Sequence, residues 1–127
     1  MTAEAILCRM YLGWKKDNPA LEAGVKHLDE IGPSANDVYF NYYATQIMHH
    51  VGGEYWKKWN AKMRDQLVNS QDKTGHQVGS WMNKGKSHAN KAGGRLYNTA
   101  MSTMILEVYY RHLPIYKSSA AEDDFPL

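Results

Sequence analysis

One cysteine, two phenylalanines and four prolines among 127 residues are the scarcities that first narrow this chain. A single thiol, Cys8, allows no intramolecular disulfide framework and no cysteine-rich zinc site. Cys8 lies in the apolar run Ala5-Ile6-Leu7-Cys8-Arg9-Met10, so it reads as buried, inert packing and not as a nucleophile. Neither sign of charge dominates. Fifteen basic and 13 acidic residues leave a formal net charge of +2, which is no footprint for nucleic acid. The densest basic stretch is Lys84, Lys86, His88, Lys91 and Arg95; small polar residues and glycines interrupt it, and it reads as a solvated loop. No apolar run approaches the ~18 residues that cross a bilayer. The opening residues also lack the basic start and apolar stretch of a signal peptide. The expectation is a soluble chain with no membrane span, its compartment unknown, and a start that a truncation would explain, since a helix is already under way at Thr2.

Complete catalytic signatures are equally scarce. Gly93-Gly94 is not followed by Lys-Ser or Lys-Thr, so it is no phosphate-binding loop. Gly79-Ser80-Trp81 is no nucleophile elbow. His49 and His50 are adjacent, which on a helix sets them about 100° apart and prevents a same-face metal pair. They read as one hydrogen-bonded core histidine and one exposed histidine. Glu107 stands four residues before Arg111, the spacing of an ordinary helical ion pair. The expectation is no catalytic residue, no metal ligand and no cofactor.

What the chain does have is tyrosine, tryptophan and methionine: nine, four and seven of them, within a 43% hydrophobic composition that suffices for a core. Five helices can be read from it. The first, residues 2–16, is apolar on most sides (Ile6, Leu7, Met10, Tyr11, Leu12, Trp14). Asn18 caps the second, residues 19–31, whose stripe is Leu21, Val25, Leu28 and Ile31. After Gly32-Pro33 and the capping stretch Ser34-Ala35-Asn36-Asp37, the third runs to about His50 and is again apolar nearly all round. Gly52-Gly53 separates it from an amphipathic fourth, residues 54–70, bearing Trp56, Trp59, Met63 and Leu67. The fifth, residues 95–112, repeats the buried type and stops at Leu113-Pro114. Buried and amphipathic helices thus alternate, as a double layer of stacked helical hairpins requires, with a repeat of about 40 residues. The reading is an all-α chain: one domain, residues 1–117, and a flexible tail, residues 118–127.

Between the fourth and fifth helices lies Gln71-Asp72-Lys73-Thr74-Gly75-His76-Gln77-Val78-Gly79-Ser80-Trp81. The Gln71 amide can donate and accept, Gly75 and Gly79 tolerate positive φ, and Trp81 can plug between hairpins. Gln71, Gly75, Gly79 and Trp81 therefore read as a structural turn. With the helix start Gly93-Gly94-Arg95-Leu96-Tyr97-Asn98-Thr99-Ala100, this turn resembles the prenyltransferase and squalene-oxidase repeat family, including bacterial repeat proteins without an assigned activity. The resemblance implies a partial α/α toroid of the terpenoid-cyclase and protein-prenyltransferase type, and an isoprenoid-handling activity. The chain departs from the pattern in three respects: the gap before Trp81 is longer, the Asp-x-Asp-Asp acid motif is absent, and the zinc ligands have no matched counterparts.

Tyr39, Tyr42, Gln46 and His49 fall on one stripe of the third helix, and Tyr97 and Asn98 begin the fifth. Together they read as the lining of a ligand cavity suited to a sugar or a lipid head group, against the plainer reading of a tyrosine-rich interior. Three functions compete. The first is a non-catalytic repeat module that binds a small molecule or a protein and self-associates through exposed repeat ends. The second is an isoprenoid-handling enzyme, following the resemblance. The third is a carbohydrate-active toroid, for which only Glu107 and Asp37 offer carboxylates.

Overall fold

The structure is a computed structural model that describes residues 2–82, 88–112 and 115–116, with the backbone alone at 88–91 and 109. Among them there are helices and turns and no strand: the fold is all-α. The helices are α1 (Thr2–Tyr11), α2 (Pro19–Ile31), α3 (Val38–Val51), α4 (Gly53–Ser70), α5 (His88–Leu106) and a short α6 (Val108–Arg111). Lys84, Lys86, the side chains of His88 and Lys91, the Leu113-Pro114 stop and the 118–127 tail lie outside the described residues.

Helices α2 and α3 owe their ends to identifiable groups. Asn18 Oδ1 accepts from the N–H groups of Ala20 and Leu21, and Pro19 takes the first position of α2, where a missing N–H costs nothing. Ser34 Oγ accepts from the N–H groups of Asn36 and Asp37, and Asp37 Oδ1 then caps α3 at Phe40 N. At the other end of α3, Gly52 adopts φ 72°, a left-handed turn that reverses the chain into α4. Lys16 donates to the Val51 carbonyl at 2.9 Å, placing a cation on the negative end of α3.

Helix α3 is the centre of the molecule. Every residue from Ala44 to Val51 is buried, because α1 and α5 flank it and α4 packs behind it. Residues near the start of α1 and α3 interact with each other (Glu4 with Tyr43), and so do those near their ends (Tyr11 with Gln46 and His50). The two helices therefore run in the same direction. Tyr97, early in the second half of α5, faces Tyr39 and Asp37 at the start of α3, so that half runs the same way. Helices α2 and α4 supply the other layer through single stripes: Leu21, Val25 and Leu28, and Trp59, Met63 and Leu67. The Trp59 indole N–H donates to Thr45 Oγ1 at 2.9 Å, so the largest buried side chain leaves no polar group unpaired in the core.

Three sequence expectations need correction. Helix α1 stops at Tyr11, not near residue 16, and buries one face only: Ala3, Ile6, Leu7 and Met10. Leu12 is exposed, and so is Cys8, which is therefore not packing. Residues 12–16 instead form a turn in which the Arg9 guanidinium lies 5.2 Å from the Trp14 ring centre. Second, helical backbone begins at His88, before Arg95, and is broken at Gly94 by φ 56° and ψ −147°, values open essentially to glycine alone. Third, α5 ends at Leu106, and α6 starts afresh after Glu107, which pairs with Arg111 at 3.3 Å.

Candidate functional site

The turn after α4 builds one wall of the site. Gln71 Nε2 donates to the Gly79 carbonyl at 2.9 Å, and Asp72 exchanges backbone bonds with Ser80 and Gly79. Gly75 and Gly79 have φ values of 70° and 82°. Arg95, just beyond the α5 kink, clasps the turn: its guanidinium bonds the Asp72 carboxylate, Ser80 Oγ at 2.9 Å and Gln77 Oε1 at 2.6 Å. Trp81 leaves the turn buried, its indole N–H donating to the Leu67 carbonyl at 2.8 Å and its backbone N–H to Thr99 Oγ1 at 3.1 Å. The Leu67 carbonyl also accepts from Gln71 N–H and Ser70 Oγ, so Trp81 adds a further bond at the end of α4.

Trp81 borders a cavity of about 370 Å³ between the 34–36 loop, α3, the end of α4 and α5. Its apolar wall is Val38, Leu67, Trp81 and Met82. Its polar wall is amide and hydroxyl: Ser34, Asn41, Gln66, Ser70, Asn98 and Ser102, with Asp72 at the turn. Most of these groups are tied down. Asn41 Nδ2 and Gln66 Nε2 both donate to the Ser34 carbonyl, at 2.7 and 2.8 Å, and Asn41 Oδ1 accepts from Ser34 N at 2.8 Å.

Asn98 is different. It is 1% exposed, and its Nδ2 donates to the Gly94 carbonyl at 2.7 Å, one of the carbonyls at the kink. That bond fixes the amide, because a flipped amide would set oxygen against oxygen. Asn98 Oδ1 is left buried with no partner. An orphaned buried acceptor costs about 1–3 kcal/mol.

Of the six residues read from the sequence as cavity lining, Asn98 lines this cavity. The others lie elsewhere. Tyr39, Tyr42 and Tyr43 stack edge to face with ring centres 4.8 and 5.2 Å apart, near the starts of α1 and α3. The Tyr43 hydroxyl is pushed up to about 12 by its hydrogen bond with Tyr39 and by burial. The Tyr97 hydroxyl, raised by burial and by Asp37 and Tyr39, is buried without a hydrogen bond. Gln46 and His49 sit at the far end of α3, in a histidine cluster.

That cluster corrects the expectation of one core and one exposed histidine, since both His49 and His50 are buried. His49 Nε2–H donates to the His112 carbonyl at 2.8 Å. His50 Nδ1 accepts from Ile115 N–H at 3.2 Å, which puts the proton of the neutral ring on Nε2. Nε2–H then faces Tyr11 Oη at 3.3 Å, and Tyr11 donates on to Gln46 Oε1 at 3.4 Å. Burial, then His49 and His112, bring the His50 pKa down to about 4. The ring is neutral at physiological pH. The Tyr116 hydroxyl bonds the Trp14 carbonyl beside it, so His112, Ile115 and Tyr116 are held against the ends of α1 and α3. No group of three or more metal-ligating side chains occurs among the described residues.

The sequence reading missed Asn41, Gln66, Ser70, Asp72 and Ser102. A signal existed: Gln66 and Ser70, and Asn98 and Ser102, are polar pairs four residues apart on helices with apolar stripes, so each pair shares a face. A second cavity, about 330 Å³, lies beside Lys16, Leu21, Val25, Val51 and Tyr55. No helix among the described residues is long and apolar enough to cross a membrane. No family model, no curated protein and no solved structure matches the chain.

Proposed function

We propose that this chain is a non-catalytic α/α repeat module, a partial toroid in its layering, that binds a small molecule in the cavity beside Trp81. The toroid reading is supported by the parallel run of α1, α3 and the second half of α5, with α2 and α4 in a second layer. The observation that carries the binding reading is a cavity of ligand size with amide and hydroxyl groups on one wall and an apolar wall opposite. Binding rather than catalysis is supported by the lining itself. The ionisable side chain among the described residues of its wall, Asp72, is engaged by Arg95, which leaves no free acid or base among those residues. The resemblance to the isoprenoid-handling repeat family supports a second reading, an isoprenoid-handling enzyme.

Two-dimensional NMR of the full chain tests the site. Oligosaccharides, polyprenyl diphosphates and divalent metals are titrated while the Trp81 indole N–H and Asn98 side-chain signals are followed. A saturable shift of both signals with one group is the expected result. Shifts confined to the tyrosine cluster would move the site there, and no shift with any group would overturn the binding reading.

A further inference from the structure

We infer that His50 is the catch of a proton-operated latch: a proton on its ring frees Ile115 and Tyr116 from the ends of α1 and α3 while the core of α3 stays folded. This device is independent of the cavity beside Trp81. His50 is 2% exposed, and both of its ring nitrogens are engaged. Nε2–H faces Tyr11 Oη at 3.3 Å, and Nδ1 accepts from the Ile115 N–H at 3.2 Å. The second bond holds only while Nδ1 carries no hydrogen. A proton there sets donor against donor, and a backbone N–H has no acceptor to offer instead. Ile115 must then leave, drawing away the adjoining Tyr116, whose hydroxyl holds the Trp14 carbonyl.

The neighbouring histidines behave differently. His49 donates Nε2–H to the His112 carbonyl at 2.8 Å, and an imidazolium makes that same bond, so a proton on His49 does not break it. His112 Nε2 is buried with no partner among the described residues, so a proton there finds no acceptor among them, and His112 works in the same direction as His50. The groups around His50 disfavour a charge on it. Its ring centre lies 5.8 Å from that of His49 on α3 and 6.1 Å from that of His112. Helix α1 sets Tyr11 against it, and α4 sets Trp56 against His49. Arg111, paired with Glu107, acts on His112, and the Lys16 ammonium sits on the carbonyl of Val51, the next residue along α3. Burial, then His49 and His112, keep the ring neutral down to about 4, against about 6.5 for a freed imidazole. Opening therefore takes up a proton that the closed latch refuses, and its equilibrium constant rises about 20-fold from pH 7 to pH 5.

Amide hydrogen exchange of the full chain, read by NMR at pH 7, 6 and 5, tests the latch. Each rate is compared with that of an unstructured amide at the same pH, which gives a protection factor. The reporters are the Ile115 amide for the latch and the fully buried Ile47 amide for the core of α3. Ile115 protection is expected to lie at least about tenfold below that of Ile47 at every pH, and to fall about 20-fold between pH 7 and pH 5. In His50→Gln, which cannot titrate, the fall is expected to shrink to a few-fold. His112→Gln keeps the backbone carbonyl that His49 uses, and it should retain most of the fall. Equal protection of Ile115 and Ile47 at each pH would mean that only global unfolding frees Ile115, and the latch would be overturned. A fall that survives in His50→Gln, or vanishes in His112→Gln, would overturn the assignment to His50; the second comparison decides the matter even where His50→Gln does not fold.

Discussion

Acidification should destabilise this fold through His50 well before its carboxylates titrate. The folded ring has a pKa of about 4, because it is buried and faces His49 and His112. In the unfolded chain the value returns to about 6.5. Above pH 6.5 both states are neutral at this residue, and its contribution is complete. Between 6.5 and 4 the unfolded chain takes up a proton that the folded chain refuses, so stability falls as pH falls, by up to ~1.4 kcal/mol per pH unit. From pH 7 to pH 5 the loss is about 2 kcal/mol, and over the whole window about 3 kcal/mol. His112, lowered by burial and then by Arg111 and His49, acts in the same direction. Structurally, protonating Nδ1 removes the acceptor of Ile115 N–H, so the hold on Ile115 and Tyr116 should loosen first. The assay is urea unfolding at pH 7, 6 and 5 for the wild type and for His50→Gln, which cannot titrate. The variant should lose at least ~1 kcal/mol less than the wild type between pH 7 and 5. Equal pH slopes in the two proteins would refute the reasoning.

Two further outcomes follow from packing and exposure. Trp81→Ala should destabilise by roughly 3–5 kcal/mol, and Trp81→Phe by about 1 kcal/mol for the lost indole hydrogen bond, both read by chemical denaturation; a loss under ~1 kcal/mol for the alanine variant would mean that Trp81 does not staple the turn. Native Cys8 should react with a thiol reagent at a rate close to that of the urea-unfolded chain, because it is exposed; protection until unfolding would contradict the one-faced packing of α1.

The helices were legible because their signals are local. Asn18-Pro19, Asp37 and Gly52 mark ends whose hydrogen bonds close within four residues, and the α2 and α4 stripes repeat at helical spacing. The errors arose where composition stood in for packing. Leu12 and Trp14 extended the apolar reading of α1 past its end, whereas a turn held by Arg9 and Trp14 follows Tyr11. The site was legible only at Asn98. Its other polar walls come from a loop, α3, α4 and the turn, and contacts between residues 32 positions apart, such as Gln66 with Ser34, leave no trace in spacing. The histidine strap was equally hidden, since His50 and Ile115 are separated by 65 positions.

The Ser34 carbonyl, bonded at once by Asn41 of α3 and Gln66 of α4, makes the rim of the cavity a shared keystone rather than a hinge. Entry of a ligand then requires no ordering of that edge, and little conformational entropy is lost on association. A rim so braced favours fast exchange: affinity here would be set by how long the guest stays, not by how long the doorway takes to form. It also gives the 34–36 loop a reason to resist amide hydrogen exchange better than its surface position would suggest.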